Sequence, residues 1–346
     1  NLYIKASGAS LAEAGEESFV RMDRRKLARI WERSYPGDAA ARESAVLADI
    51  MAARAPGEEE KRPSVETLLH DLLPFAYVVH LHPALVNGLT CSRRGEELAA
   101  EFFGGAILWI PSVNPGYVLS RTVREAMAVY TRDKGRAPDI ILLQNHGVFA
   151  GAGTPEAAGQ RYQFLMDTVR VRVKRRADMA GGRSRKLGPL GSSDKLGQFL
   201  AVAAGAPVAV SFLDNWEIEK LVQDRRAFEP VSGAFTPDHI VYAGSDPLFI
   251  EAPPHGGPSE EAVAASWQAH TAKTGRAPKI VAVERLGVFG IGPTEKAAGL
   301  ALELFRDSIQ VAAYAESFGG GRFMDQDQID FINNWEVEQY RAAVSF

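Results

Sequence analysis

The sequence predicts an α/β protein built from two related units, and three observations predict it. Short apolar runs of strand character alternate with amphipathic segments of helical period along the chain. One register of identities recurs at an offset of 140 residues: Gly135-Arg136-Ala137-Pro138 returns as Gly275-Arg276-Ala277-Pro278, Gly147-Val148-Phe149 as Gly287-Val288-Phe289, and Ala157-Ala158-Gly159 as Ala297-Ala298-Gly299. At 346 residues the chain is also longer than one core usually supports, because single cores seldom grow past about 250–300 residues.

Leu2 to Lys5 reads as a strand, and Ala6-Ser7-Gly8-Ala9-Ser10 as the small polar turn after it, whose backbone amides could hold an anion. The opening Asn1-Leu2-Tyr3 reads as mid-strand, so the natural chain is expected to begin earlier. Arg21 to Tyr35 sets Met22, Leu27, Ile30 and Trp31 at helical spacing among charges, and Pro36-Gly37 ends that helix. Ala40 to Ala53 is a second helix, and Ala55 to Arg62 a charged loop. Pro63-Ser64-Val65-Glu66 opens a third, with Ser64 as cap and Leu68, Leu69, Leu72 and Leu73 along one side. Glu66 then lies in the first turn, where a carboxylate complements the helix dipole with or without a chemical role.

The chain is organised around Tyr77-Val78-Val79-His80-Leu81-His82-Pro83. In an extended strand positions i and i+2 face the same way, so both imidazoles could meet one metal ion. A helix follows from about Ala84, then a strand from Ala106 to Ile110 and a turn-rich loop, 111–117. That loop carries an aromatic hydroxyl, Tyr117, suited to a substrate pocket or to a tight turn. Arg121 to Thr131 is a helix, and strand 139–144 brings His146 to its end, just before Gly147. Three histidines at the ends of two strands form an open site with a coordination position left for water or substrate. Taken singly, each histidine reads equally well as a surface or structural residue. Thr154-Pro155-Glu156 starts the next helix with a cap, a first-turn proline and an acid. It runs into Arg170, Arg172, Lys174, Arg175 and Arg176, and these, with Arg183, Arg185 and Lys186, read as solvated faces.

In the repeat, His146 aligns with Leu286, and no His-x-His occurs after residue 230. The echo of Asp214-Asn215-Trp216-Glu217-Ile218-Glu219 in Asn333-Asn334-Trp335-Glu336-Val337-Glu338 reads as two helices that each dock a tryptophan, structural anchors without a site role. The division expected is a metal-binding domain at 1–180, a connector with a helix at 181–230, and a degenerate repeat at 231–346 that packs on the first unit and adds no metal chemistry.

Composition narrows the partners. With 46% hydrophobic and 24% charged residues the chain is an ordinary globular protein, and a net charge of -4 argues against nucleic acid or anionic membrane as partner. The single cysteine, Cys91, cannot form an internal disulfide and fits a reducing cytoplasm. No apolar run approaches the roughly 18 residues needed to span a bilayer.

Three motifs in order, Pro63-Ser64-Val65-Glu66, Val79-His80-Leu81-His82 and Gln144-Asn145-His146-Gly147, resemble the class II aldolase/adducin family, which includes fuculose-phosphate aldolase and ribulose-phosphate 4-epimerase. The resemblance covers roughly residues 1–180. It implies a three-layer α/β/α fold, zinc or another divalent metal on His80, His82 and His146, Glu66 as acid/base, and homo-oligomers with active sites near subunit interfaces. Ser7, Gly8 and Ser64 match positions that hold the substrate phosphate in the aldolases. Two features depart from the pattern: the Gly-Asn turn that precedes the first strand in the family is absent, and Val65 replaces a serine. The stretch 334–341 and the decayed second half look like the aldolase portion of proteins that fuse rhamnulose-phosphate aldolase to a short-chain dehydrogenase. No Gly-rich dinucleotide fingerprint is present, and no nicotinamide cofactor is inferred.

The function implied is a zinc-dependent aldolase that cleaves a sugar phosphate or related hydroxy-carbonyl compound through a metal-stabilised enediolate. Glu66 would move the proton, and Tyr117 would protonate or orient the aldehyde fragment. A 4-epimerase of the same family, a metal-dependent dehydratase or decarboxylase, and a metal-free adducin-like assembly protein are the alternatives.

Overall fold

The computed structural model describes residues 1–8, 11–12, 14–181, 192–338 and 340. The chain opens with a two-stranded antiparallel ribbon, β1 (Leu2–Lys5) and β2 (Phe19–Met22), paired from Leu2↔Met22 to Lys5↔Phe19. This corrects the first helix expected from the sequence. Arg21 and Met22 belong to the ribbon, and α1 is only Arg24–Ile30, started by Asp23, whose carboxylate accepts from Arg25 N–H. Pairing with a strand sixteen or more residues away overrides local helical spacing here. α2 (Ala39–Ala52) and α3 (Thr67–Leu72) complete this lobe, whose core joins Ile4, Val20, Leu27, Val46 and Leu68.

The first four-stranded sheet has the order β3-β6-β5-β4, with β3 Tyr77–Leu81, β4 Leu108–Ile110, β5 Ile140–Leu143 and β6 Gly147–Ala152. β4 and β5 are parallel, and the other neighbours antiparallel. α4 (Ala84–Thr90) and α5 (Gly95–Phe103) follow β3, α6 (Tyr117–Lys134) joins β4 to β5, and α7 (Pro155–Arg170) follows β6. Alternate residues of β5 face opposite layers: Ile140 and Leu142 pack with α4, α5 and α7, whereas Ile141 and Leu143 pack with α3 and α6. That is the three-layer α/β/α arrangement expected. β5 and β6 form a hairpin, so His146 sits in a turn between two strands.

The second sheet repeats the first strand for strand. Its order is β7-β10-β9-β8, with β7 Ala209–Leu213, β8 Leu248–Ile250, β9 Ile280–Val283 and β10 Gly287–Gly292. α8 (Ser192–Ala204) and α9 (Trp216–Leu221) flank β7, followed by the short α10 (Arg225–Phe228). α11 (Glu260–Thr274) joins β8 to β9, α12 (Glu295–Ala315) follows β10, and α13 (Gln326–Asn334) comes last. The β5–β6 and β9–β10 turns share their backbone geometry: Asn145 and Arg285 both have positive φ (54° and 58°), and the following N–H groups of His146 and Leu286 donate to Leu143 and Val283 carbonyls. The segment expected to be a connector with one helix, 181–230, supplies the edge strand β7 and the helices α8, α9 and α10 of the second unit.

The units share a core rather than touching edges. Cys91 and Ala84, at the ends of α4, pack into the cluster of α12 residues Ala301, Phe305 and Ile309. Gly88 permits this approach, since a Cβ there would lie 2.3 Å from the Tyr314 Cβ. Trp216, read as docked, is 37% exposed, and the anchor in that motif is Glu217, which is buried and pairs with Arg175 at 2.5 Å. The Arg175 guanidinium also pairs with Glu316, and Arg172 lies over the Phe102 ring, so these members of the basic run serve internal contacts. The cluster Arg183, Arg185, Lys186 lies outside the described residues. No helix among the described residues is long and apolar enough to cross a membrane.

Candidate metal centre

β3 carries His80 one residue before its end and His82 one residue past it, and the β5–β6 turn brings His146 across β6 to meet them. Each offers one ring nitrogen, and the three lie within 4.8 Å of one another. The His80 ring stacks on Phe149 (centroids 4.0 Å apart), which fixes its plane. Gly147 is required by the same crowding: a Cβ there would lie 2.3 Å from His82 Cδ2 and 2.7 Å from the Leu81 carbonyl.

Hydrogen bonds decide which nitrogens face inward. His80 Nδ1 lies 3.0 Å from the Val148 carbonyl, which only accepts, so that nitrogen carries the proton and Nε2 keeps its lone pair. His82 Nδ1 is held at 2.8 Å by the Asp238 carboxylate, with the same consequence. The two Nε2 atoms then face each other at 2.8 Å. Two lone pairs at that distance repel unless a cation or a proton lies between them. Three inward imidazole nitrogens suit a borderline divalent ion such as zinc, and the donor set fits the metal that the sequence implied.

Glu66 caps the approach. Its Oε1 is 3.1 Å from His80 Nε2 and 3.2 Å from His146 Nε2. Burial alone would raise its pKa, but His80 and His146 outweigh that and hold the carboxyl well below its usual range. Ser64 Oγ accepts from Glu66 N–H (3.2 Å), so Ser64 braces the residue before α3 while Glu66 itself takes the cap position.

These groups open into a cavity of about 380 Å³. Ser7, Gly8 and Ser64 line it, as the sequence suggested, and the Ser7 hydroxyl is buried without a partner among the described residues. Tyr117 is not brought to the histidines. It begins α6, with its ring against Trp31 and Tyr35 and its N–H donating to the buried Glu43, so it braces the N-terminal lobe.

The charged and aromatic lining residues Lys5, Asp238, Trp335 and Glu338 escaped the sequence reading. Lys5 was hidden in a strand pattern, and Asp238 has no motif around it. Trp335 and Glu338 stood in the echo motif that was read as an anchor, and they wall the cavity instead. The second unit therefore does contribute, contrary to expectation. Asp238 orients His82, and Phe235 and Arg322 carbonyls accept from Asn145 Nδ2 (3.0 and 2.8 Å), which sets the turn bearing His146.

In the second sheet the strand register places Phe212, Asp214 and Leu286 where the first has His80, His82 and His146. That copy has no ligand set. The model described as Class II Aldolase and Adducin N-terminal domain matches residues 1–173, half of the chain. The chain belongs to the class II aldolase and adducin family. The chain is also similar to the protein called Uncharacterized oxidoreductase YuxG from Bacillus subtilis (strain 168), with 23% identity over 99% of this chain. It spans 52% of that protein, about half its length. A solved N-terminal class II aldolase domain of a conserved protein from Thermoplasma acidophilum is 23% identical, covering 48% of this chain and 72% of that one, with a TM-score of 0.40.

Two predictions concern how this class II aldolase family site is held. Asp238→Asn keeps the shape but loses the charge that orients His82, and is expected to weaken divalent-metal affinity about 10–100-fold in a competition titration against a chelator. Unchanged affinity would remove Asp238 from the site. The second uses pH. Burial pushes His146 from 6.5 down to about 4, so the metal-free folded chain resists a proton that the unfolded chain accepts. Its contribution is complete above pH 6.5 and is lost as pH falls toward 4, at most about 3 kcal/mol. Urea unfolding with chelator across that window should show the loss in the wild type and a flatter curve in His146→Gln.

Proposed function

We propose that this chain is a divalent-metal-dependent aldolase, a carbon–carbon lyase acting on a hydroxylated carbonyl compound, with a sugar phosphate as the substrate class. The observation that carries the reading is the convergence of three inward imidazole nitrogens with a buried carboxylate beside them. When bound, zinc or a similar ion would supply a Lewis acid for the carbonyl and its neighbouring hydroxyl, offsetting negative charge that develops on oxygen.

His80, His82 and His146 hold the ion. Their orientations are set by Val148, Asp238 and the β5–β6 turn, so little reorganisation accompanies loading. Glu66 lies on the cavity side of the imidazoles, where its carboxylate takes or returns the proton of a bound hydroxyl or carbon. As a carboxylate it offers the acceptor oxygens a general base requires. Lys5 and the unpartnered Ser7 hydroxyl border the same space and suit an anionic, oxygen-rich end of the substrate. Leu69, Leu119 and Trp335 give the remainder apolar walls.

The oxidoreductase in the relative's name belongs to a protein about twice as long, and hydride transfer is not assigned to this chain. The test is incubation of the zinc-loaded chain with phosphorylated and free ketoses, with trapping of released aldehyde. Chelator-sensitive aldehyde release supports the aldolase. A chelator-sensitive 4-epimer without aldehyde selects the epimerase. No turnover of any ketose by a fully loaded chain overturns the proposal.

A further inference from the structure

The two copies supply an internal comparison at the opposite end of the sheet, where β4 and β5 begin in one and β8 and β9 in the other. Pairings Leu108↔Ile141 and Leu248↔Val281 keep the two corners in one register. In the first unit the corner is closed and ion-paired. Tyr130 donates to the Ala106 carbonyl at 2.9 Å, and Asp139 lies between Arg136 (3.5 Å) and Arg161 (3.1 Å).

In the second unit the same four positions read His270, Asp246, Lys279 and Arg276 in place of Tyr130, Ala106, Asp139 and Arg136. The arginine is retained, the acid beside it has become Lys279, the second arginine, Arg161, has become Ala301, and the acid now stands at Asp246. A cavity of about 240 Å³ stands there, lined by Ser245, Asp246, His270, Arg276, Lys279 and Glu338. Lys279 Nζ donates to the Val241 carbonyl, and neither Lys279 nor Arg276 forms an ion pair among the described residues. Burial and the neighbouring Arg276 both lower the Lys279 pKa. Lys279 is partly buried and makes no ion pair among the described residues, and an anion brought in from solution would compensate an ammonium in that position.

We propose that this cavity binds the phosphate monoester of a small polyol. The forked guanidinium of Arg276 and the ammonium of Lys279 take the phosphate dianion. Asp246, whose Oδ2 already accepts from Ser245 Oγ, and Glu338 on the facing wall accept from the hydroxyls of the alcohol portion. His270 stands beside Asp246 and supplies a further polar contact. This site is separate from the metal centre, although Glu338 borders both cavities.

The experiment is equilibrium dialysis of radiolabelled inorganic phosphate against the full chain with chelator present, so that metal-held phosphate is not counted. Saturable binding is expected, weakened about tenfold or more by Arg276→Met and by Lys279→Met and left in place by Lys5→Met. Arg276 is exposed and makes no ion pair, so its variant tests the site even where Lys279→Met disturbs the contact with Val241. The proposal is overturned by the absence of saturable binding, by binding that Arg276→Met leaves at wild-type strength, or by binding that only Lys5→Met removes.

Discussion

His82→Ala is expected to yield a folded chain that no longer retains a divalent ion, where the wild type is expected to hold about one per chain, and to abolish the proposed turnover. His82 is the cleanest of the three ligands to remove. Its side chain is 24% exposed at the cavity edge, so truncation leaves a solvated gap. His80 is stacked on Phe149 and only 7% exposed, and alanine there would add a packing defect to the loss of a ligand. With one imidazole gone, two nitrogens remain, and the lone-pair crowding between His80 and His82 is relieved without an ion. Elemental analysis beside the wild type, with circular dichroism to establish folding, reads the result. A wild type that stays metal-free after incubation with zinc would sink the enzyme reading and favour an assembly role in the manner of adducin.

Glu66→Gln is the second large effect, a fall in kcat of about 10²–10⁴-fold with the metal retained. Glutamine preserves the size of the side chain and its place before α3 but cannot take up a proton. His80 and His82 keep their other partners, Val148 and Asp238, so their orientation survives. Metal content and kcat measured on one preparation separate the roles. Loss of both together would make Glu66 a fourth ligand and leave proton transfer to another group.

Much of the site was legible in the chain because its parts are local. His80 and His82 share a strand face by the two-residue period, and strand ends are rigid places to mount ligands. His146 was recognisable from the apolar run before it and the glycine after it, though the run ends in a hairpin turn. Ser7, Gly8 and Ser64 came from the family resemblance, and they line the cavity. Tyr117 failed because its loop was judged by composition. The helix starts four residues earlier than its pattern suggested, and that turns the ring toward Trp31 and Tyr35. The helix expected from Arg21 failed because a short segment cannot reveal that β1 will pair with it.

By itself the sequence determined the α/β alternation, the three histidines of the candidate site and the existence of a second copy without them. Each is encoded in spacings of a few residues or in a register repeated along the chain. Only the tertiary structure decided that the second copy completes the first. Asp238 reaches His82 across 156 residues, Asn145 is held by carbonyls of Phe235 and Arg322, and Trp335 closes the cavity. Those contacts follow from how α12 packs on α4 through the close approach at Gly88, a fit of two surfaces that has no period and no local signature.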